Sequence, residues 1–450
     1  MKDFFEGKLN NVKLGSKRKT DKNKLGENSK GEIVLSTEQV NLAIVGCGGI
    51  ANAHYNGFKA LYEKGYKDFV IIACCDTVVS KAEVMAEKIA KWQGNTPKVY
   101  FDHKVMLKKQ QSIDGVCNYT PHDVHHTIVL DAIKAGKQVS TEKPLALTLR
   151  AGKIMIDAAE AQGVILHVAE NYRLAPKERA INWAINSGKI GEPRILNWLD
   201  IGERKWYWGW RDHKEIASGG WTIDGGVHFS DLWQHHIGEI DKVYSVSRSF
   251  DPVKYIEYDT MDDFEKSRQG DLPRYRKTRS LKDIDPGTLK EPIESNLEDT
   301  TSAILEFSNG CVGTWVVSRS APGRTDRSNI LYGSEGALSW NEGIFNQKQE
   351  LVYTIDELVE AYMADLSVDD KEKLFPFGLT APMAIEDKQF VDAIKGKGAV
   401  EVDAWTGYKA MAIPMAVYES AAIGAPVSVQ DVLDLKVETY QAELNKIIGI

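Results

Sequence analysis

The stretch Leu42-Ala43-Ile44-Val45-Gly46-Cys47-Gly48-Gly49-Ile50-Ala51 decides how the rest of the chain is read. A short uncharged apolar run stops at Gly46-x-Gly48-x-x-Ala51, and the residues to about 64 have helical spacing. In such a strand–turn–helix, Gly46 permits the tight turn and Gly48 the close approach of a pyrophosphate to the backbone. The helix start offers free N–H groups and the positive end of its dipole to the phosphates. Gly46, Gly48, Gly49 and Ile50 are therefore candidate cofactor contacts. A second apolar run, 69–75, ends at Asp76. A carboxylate there accepts from both hydroxyls of an adenosine ribose and repels a 2′-phosphate. No arginine follows it directly, so NAD is expected over NADP.

The alternation continues outward. Residues 78–90 are helical in spacing, with Ala82, Met85, Ala86 and Ile89 on one face. Strands are expected at 114–119, 138–141 and 164–168, with helices at 124–135 and 149–161 between them. Continuous apolar strands alternating with helices predict an α/β fold: a parallel sheet covered on both faces, here a Rossmann dinucleotide-binding domain over 41–171.

The 450 residues carry a formal charge of -8 and are 43% hydrophobic. That apolar fraction excludes wholesale disorder, and no uncharged apolar stretch approaches the ~20 residues of a membrane span. The acidic balance gives no electrostatic reason for a nucleic-acid partner. Of five cysteines, Cys47, Cys74, Cys75 and Cys117 lie in or beside apolar runs, which reads as reduced thiols in a cytoplasmic protein. Residues 1–40 hold nine Lys/Arg against six Asp/Glu and lack the apolar core of a signal peptide. They read as a polar arm that cannot bury enough surface to fold alone.

Chemistry gathers at the predicted strand ends. Thr120-Pro121-His122-Asp123-Val124-His125 and Thr141-Glu142-Lys143-Pro144 both fall at carboxyl ends, the edge where ligands bind in open α/β sheets. A residue before proline is held extended, which stiffens Lys143 where an ammonium can face a ligand oxygen. Further on, Asp224-Gly225-Gly226-Val227-His228 places Asp224 and His228 on one face of a helix start. Asp231 and His235 extend that stripe. With no HExxH and no Cys/His cluster, a metal is not expected.

Together these residues resemble the Gfo/Idh/MocA oxidoreductases, which include glucose–fructose oxidoreductase and inositol dehydrogenases. The resemblance runs from 41 to about 424. It is carried by 46–51, Thr120-Pro121 with His125, Glu142-Lys143-Pro144, Asp224-x-x-x-His228 and Glu298-Asp299-Thr300. It implies Lys143, Asp224 and His228 as the catalytic group, with Thr120, His125, Glu142 and Lys143 beside the cofactor. It also implies a cis Lys143–Pro144 bond. His122 stands where the family usually has Asn. Oxidising an alcohol moves hydride to nicotinamide while a base removes the hydroxyl proton. Histidine, with an unperturbed pKa near ~6.5, suits that task, so His228 is the candidate base. Lys143 would stabilise the developing alkoxide, and Asp224 would orient its neighbours. Lys143 as proton relay, with His228 holding the hydroxyl, fits the sequence equally.

Beyond residue 167 the pattern changes. Alternating strands are expected at 194–201, 243–248, 302–307, 312–318 and 330–332, with Ser308-Asn309-Gly310 as a hairpin turn. Helices are expected at 178–186, 390–394 and 410–422. This predicts an α+β domain with an open, largely antiparallel sheet over 172–450, interrupted by insertions at about 251–298 and 341–382. In the family such sheets pack on one another, so a homo-oligomer is expected. Six of the eleven tryptophans (Trp198, Trp206, Trp208, Trp210, Trp221, Trp233) flank Asp224. Aromatic faces cover the C–H face of a sugar ring, and two or three are expected in the pocket, with the others in the core. Tyr172 and Arg173, leaving the last strand of the first sheet, and Trp208 and Arg211 are the candidate substrate contacts. Arg204, Lys205 and His213 lie near enough in sequence to hold an anionic group. The leading expectation is NAD-dependent oxidation of a ring hydroxyl of a sugar or glycoside to a keto-sugar. The alternatives are a redox glycosidase, using Tyr172 or His213 as an extra base, and a non-catalytic NAD- and sugar-binding regulator.

Overall fold

The apolar run after Val40 becomes the central strand of a six-stranded parallel sheet in the computed structural model of the protein. Residues 39–255 and 292–450 are described, together with 26–27 and 33–34. Those two pairs form a short antiparallel ladder, Gly26–Glu27 against Ile33–Val34, in a separate unit that ends at Glu38. Most of the insertion expected at about 251–298, residues 256–291, lies outside the described residues.

Strands β1 (Val40–Val45), β2 (Phe69–Cys75), β3 (Lys98–Tyr100), β4 (Gly115–Asn118), β5 (Gln138–Glu142) and β6 (Leu166–Ala169) pair in the order β3-β2-β1-β4-β5-β6. The chain reverses direction of build between β1 and β4, which opens the crevice used for ligands in such sheets. Helices α1 (Gly49–Glu63), α2 (Val79–Gln93), α3 (His103–Lys109), α4 (His125–Lys134) and α5 (Leu149–Gln162) connect the strands. Leu42, Ala43 and Ile44 have no exposed surface, as strands covered on both faces require. The buried face of α2 is Ala82, Met85, Ala86 and Ile89, the stripe its spacing marks. Strand β3 and helix α3 are not among the elements expected above. A three-residue edge strand with one valine has too little apolar pattern to stand out.

After β6 come α6 (Pro176–Asn186) and β7 (Pro193–Ile201), then α7 (Trp221–Asp224), α8 (Gly226–His236) and β8 (Ile240–Arg248). Strands β9 (Val253–Tyr255) and β10 (Pro292–Glu294) pair with each other at the base of the segment between them. Strands β11 (Thr300–Phe307), β12 (Val312–Ser318), β13 (Asn329–Gly333), β14 (Gly336–Ser339), β15 (Gly343–Asn346), β16 (Leu351–Thr354) and β17 (Val427–Ser428) complete a nine-stranded sheet. Its order is β16-β15-β14-β13-β7-β12-β11-β8-β17, antiparallel throughout except for β7 beside β12. Residues 341–382, expected as an insertion, contribute β15 and β16 at the edge of this sheet. They also supply α9 (Ile355–Asp365), which starts at a Thr354/Glu357 capping box and packs on α6.

Two later helices tie the halves together. Helix α10 (Pro382–Ile394) packs on α1, and α11 (Ala404–Ile423) packs at once on α5, α8 and β8. Helix α11 is apolar nearly all round, as befits a helix buried on every side. One face of the nine-stranded sheet buries Val243, Ala303, Leu305 and Leu196, and the alternate residues are exposed. Register sets Tyr244 opposite Ile304, and Ile195 between Val312 and Tyr332, all on the exposed face. Among the described residues no helix is long and apolar enough to cross a membrane.

Candidate active site

The dinucleotide turn is shaped for a ligand. Gly46 has φ +87°, and a Cβ there would meet the Tyr119 carbonyl oxygen at 2.6 Å. At Gly48 a Cβ would have no heavy atom within 4 Å, so the backbone is open on that side. Helix α1 begins at the next residue, and no side chain caps its first turn. Its free N–H groups are thus available to a phosphate. The Asp76 carboxylate is held at the end of β2 by the Cys47 and Val78 N–H groups, each at 2.8 Å, and stays half-exposed with acceptor capacity to spare. An open glycine backbone, an uncapped helix start and a pre-oriented carboxylate fit the pyrophosphate and ribose of NAD. Thr120, at the mouth of β4, donates its hydroxyl to Asn118 Oδ1 at 2.7 Å.

Two residues expected beside the cofactor, Glu142 and His125, are buried in hydrogen bonds within the chain. Glu142 is 4% exposed. Its Oε1 lies 3.1 Å from His54 Nε2, and its Oε2 accepts the Lys143 N–H at 3.0 Å. His125 has no exposed surface; its ring nitrogens lie 3.0 Å from Pro144 O and 2.9 Å from Thr120 O. With both nitrogens engaged and no free surface, His125 braces the loops that carry Thr120 and Pro144.

Lys143 follows β5, and its bond to Pro144 is cis. Its Nζ donates to Asp224 O at 2.6 Å and to Asp224 Oδ1 at 3.4 Å. The same Oδ1 is 3.3 Å from Arg211 Nε and 3.7 Å from His122 Nε2. Burial alone would raise the Asp224 carboxyl, but Lys143 and then Arg211 outweigh it and hold it well below the usual carboxylate range. His122 is driven the other way: burial pushes it well below the ordinary histidine value, against the pull of Asp224. The neutral ring then donates from Nδ1 to Ala217 O at 3.0 Å. The glycines after Asp224 are required by packing. A Cβ on Gly226 would meet the Trp315 ring at 2.5 Å.

His228 lies one turn further, in α8. Its Nδ1 is 2.5 Å from Glu170 Oε1, and its ring stacks on Tyr172 with centroids 3.8 Å apart and an interplanar angle of 0°. Its other nitrogen, Nε2, makes no hydrogen bond to a described residue. Glu170 sits just past β6 and is buried. It is not among the site residues expected above. The signal was available, because it stands after a strand as Asp76 does after β2.

Around this group Trp208, Arg211, Trp221, Arg319 and Glu298 line a cleft that begins at Asp224. The Arg211 guanidinium lies over Trp210 at 4.1 Å and Trp208 at 5.0 Å, and Arg319 over Trp221 at 4.6 Å. Trp198 and Trp233 instead join Trp315 and Trp340 in the core. Arg173, expected as a substrate contact, is held by an ion pair. It is buried and forks onto Asp231, with Nε to Oδ2 at 2.8 Å, so it clamps the exit of β6 to α8. Arg204 forks likewise onto Asp212, Lys205 pairs with Glu203, and His213 Nε2 lies 2.9 Å from the Tyr207 hydroxyl.

Comparison with known proteins agrees with this geometry. Residues 40–170 match the NAD-binding Rossmann fold of the Gfo/Idh/MocA oxidoreductase family, and residues 183–429 match its C-terminal alpha/beta domain. The chain is 28% identical to levoglucosan dehydrogenase of Pseudarthrobacter phenanthrenivorans over 329 residues, which is 67% of this chain and 76% of that one. It is 25% identical to D-glucoside 3-dehydrogenase of Escherichia coli over 403 residues, 87% of this chain and 98% of that one. The solved structure of a levoglucosan dehydrogenase with NADH and levoglucosan has the same fold, with a TM-score of 0.65 at 22% identity, covering 87% of this chain and all of that one. With both family domains matched over most of its length, and with a dinucleotide turn and acidic strand end shaped for NAD, the chain belongs to the Gfo/Idh/MocA family of NAD-dependent oxidoreductases.

Proposed function

We propose that the protein oxidises a ring hydroxyl of a sugar or glycoside to the ketone, with His228 taking the hydroxyl proton. NAD, when bound, accepts the hydride; the remaining work falls to the chain. The observation that carries this reading is Glu170 against His228 Nδ1, with Nε2 unengaged. A carboxylate on Nδ1 keeps the proton there, orients the ring and leaves Nε2 as the acceptor. Lys143 spends two donor positions on Asp224 and can turn the third to the substrate oxygen, where its charge stabilises the alkoxide as it forms. That division of labour supports His228 over Lys143 as the proton acceptor. Tyr172, stacked on His228, and the Trp208 and Trp221 faces suit the C–H surface of a sugar ring.

The sugar class is supported further by the relatives, a levoglucosan dehydrogenase and a D-glucoside 3-dehydrogenase. A redox glycosidase needs one more base. His213 is tied to Tyr207, and burial raises the Tyr172 phenol, so neither supports that reading. The exposed apolar band across β8, β11, β12, β7 and β13 is the surface we assign to self-association. The five buried, unpaired cysteines suit the reducing cytoplasm. The test is incubation of neutral sugars and glycosides with NAD, following NADH absorbance and product mass. Stoichiometric NADH with loss of two hydrogens is expected. Turnover that survives Lys143→Ala would overturn the catalytic assignment.

A further inference from the structure

Beneath Lys143 lies a cluster of ionisable groups with no part in the chemistry above. His54 of α1 has no exposed surface. Its Nδ1 is 2.8 Å from Asp387 Oδ1, its Nε2 is 3.1 Å from Glu142 Oε1, and Glu386 Oε1 is 3.9 Å from Nε2. The ring of Tyr119, just past β4, stacks on it with centroids 3.9 Å apart. Three buried carboxyl groups from β5 and α10 thus surround one imidazole.

Both ring nitrogens face carboxylates, so both are placed to donate. Burial opposes a charge on His54, but Asp387 and Glu142 outweigh it and hold the imidazole well above its ordinary range. Burial drives Glu386, whose two oxygens have no hydrogen-bond partner, well above the usual carboxyl value. Burial also raises Asp387, whereas in Glu142 the His54 contact overcomes burial and lowers it. Clusters of this kind are expensive to desolvate and are weak sources of stability, so a functional use is the better account.

The contacts form a continuous path. The Tyr119 carbonyl abuts Gly46 in the dinucleotide turn, and its ring stacks on His54. His54 holds one Glu142 oxygen, and the other accepts the Lys143 N–H, which lies past the end of β5. We propose that His54 is a positioning residue for Lys143: clamped by Asp387, it fixes Glu142, which fixes the strand-end peptide from which Lys143 reaches Asp224 and the substrate oxygen. This rests on Lys143 being a catalytic group. A displacement of about 1 Å at a reacting group costs on the order of 100-fold in rate.

Asparagine places its amide nitrogen near the position of imidazole Nδ1, and glutamine near that of Nε2. His54→Asn therefore keeps the Asp387 contact and loses Glu142, and His54→Gln does the reverse. At saturating NAD and sugar, kcat is expected to fall roughly 10- to 100-fold in His54→Asn, and by less than about fivefold in His54→Gln. NADH affinity, read by its fluorescence, should stay within about threefold of the parent in both, because the dinucleotide turn is untouched. If His54→Asn does not fold, Glu142→Gln carries the test, with a loss of about tenfold or more in kcat at unchanged NADH affinity. Equal losses in the Asn and Gln variants, a defect confined to NADH binding, or a kcat close to the parent's in the variant read would overturn the proposal. Lys143→Ala separates the two layers. If it keeps turnover, the catalytic reading fails. If it loses turnover while the His54 and Glu142 variants keep theirs, only the positioning role fails.

Discussion

Replacing Glu170 by glutamine removes a full negative charge 2.5 Å from His228 Nδ1 while keeping the side-chain shape. In the proposed reaction His228 becomes positive as the hydroxyl proton arrives. The attraction to Glu170 is therefore stronger in the transition state than in the ground state, the condition for an effect on kcat. With charge centres about 4 Å apart and an effective dielectric of about 20, the full interaction is about 4 kcal/mol. Solvent screens it little, since Glu170 and His228 are 1% and 8% exposed. Half-developed charge in the transition state makes this about 2 kcal/mol, or about 30-fold in rate; full development makes it nearly 1,000-fold. The glutamine carbonyl can still accept from Nδ1–H, so the tautomer is kept and charge alone is lost. Glu170→Ala also frees the ring and should cost more. The assay is initial-rate NADH formation at saturating NAD and sugar, beside an NADH titration and a thermal melt. A Glu170→Gln enzyme with intact fold and NADH affinity and kcat within about threefold of the parent would refute the assignment of the proton to this dyad.

Other consequences can be checked alongside. Asp76→Ala should weaken NAD binding and narrow the preference for NAD over NADP, measured as the ratio of kcat/KM for the two cofactors. Gly46→Ala forces a Cβ to 2.6 Å from Tyr119 O at φ +87°, so a melting shift equivalent to about 1–3 kcal/mol is expected together with loss of NADH binding. Arg173→Ala leaves Asp231 buried without its partner, so destabilisation of about 3–5 kcal/mol in urea is expected, with little change in sugar KM for the fraction that stays folded. Burial pulls His167 down to about 3, whereas an exposed histidine titrates near ~6.5. The unfolded chain binds that proton first, so the contribution is full above about pH 6.5 and is lost as pH falls toward about 3. Thermal melts should show a Tm that declines from pH 7 to pH 5, and a shallower decline in His167→Gln.

The parallel sheet was legible because its signals are local. An apolar run that ends at Gly46 and another that ends at Asp76 each describe a strand, its end and its chemistry within ten residues. Lys143 stands out by the proline after it, and Asp224 and His228 by their four-residue spacing, but the catalytic role expected of them comes from the family resemblance. What stayed hidden depends on pairing across the chain: His54 meets Asp387 across 333 positions, and Glu170 meets His228 across 58. Helix α10 shows why such pairs escape notice. Its apolar stripe reads cleanly only over 390–394, because Glu386 and Asp387 occupy buried positions where the pattern calls for apolar residues. The residues that face His54 are the ones that erase the periodicity by which their helix would be found. Arg173 presents the converse case. Its place beside the ligand edge suggests substrate, but the buried Asp231 one helical turn beyond Val227 takes two of its three nitrogens. A charged residue at a buried position is therefore informative in either case: it marks a partner that the linear pattern cannot supply, and whether that partner reaches a reacting group, as Glu142 reaches Lys143, is what separates a site from a clamp.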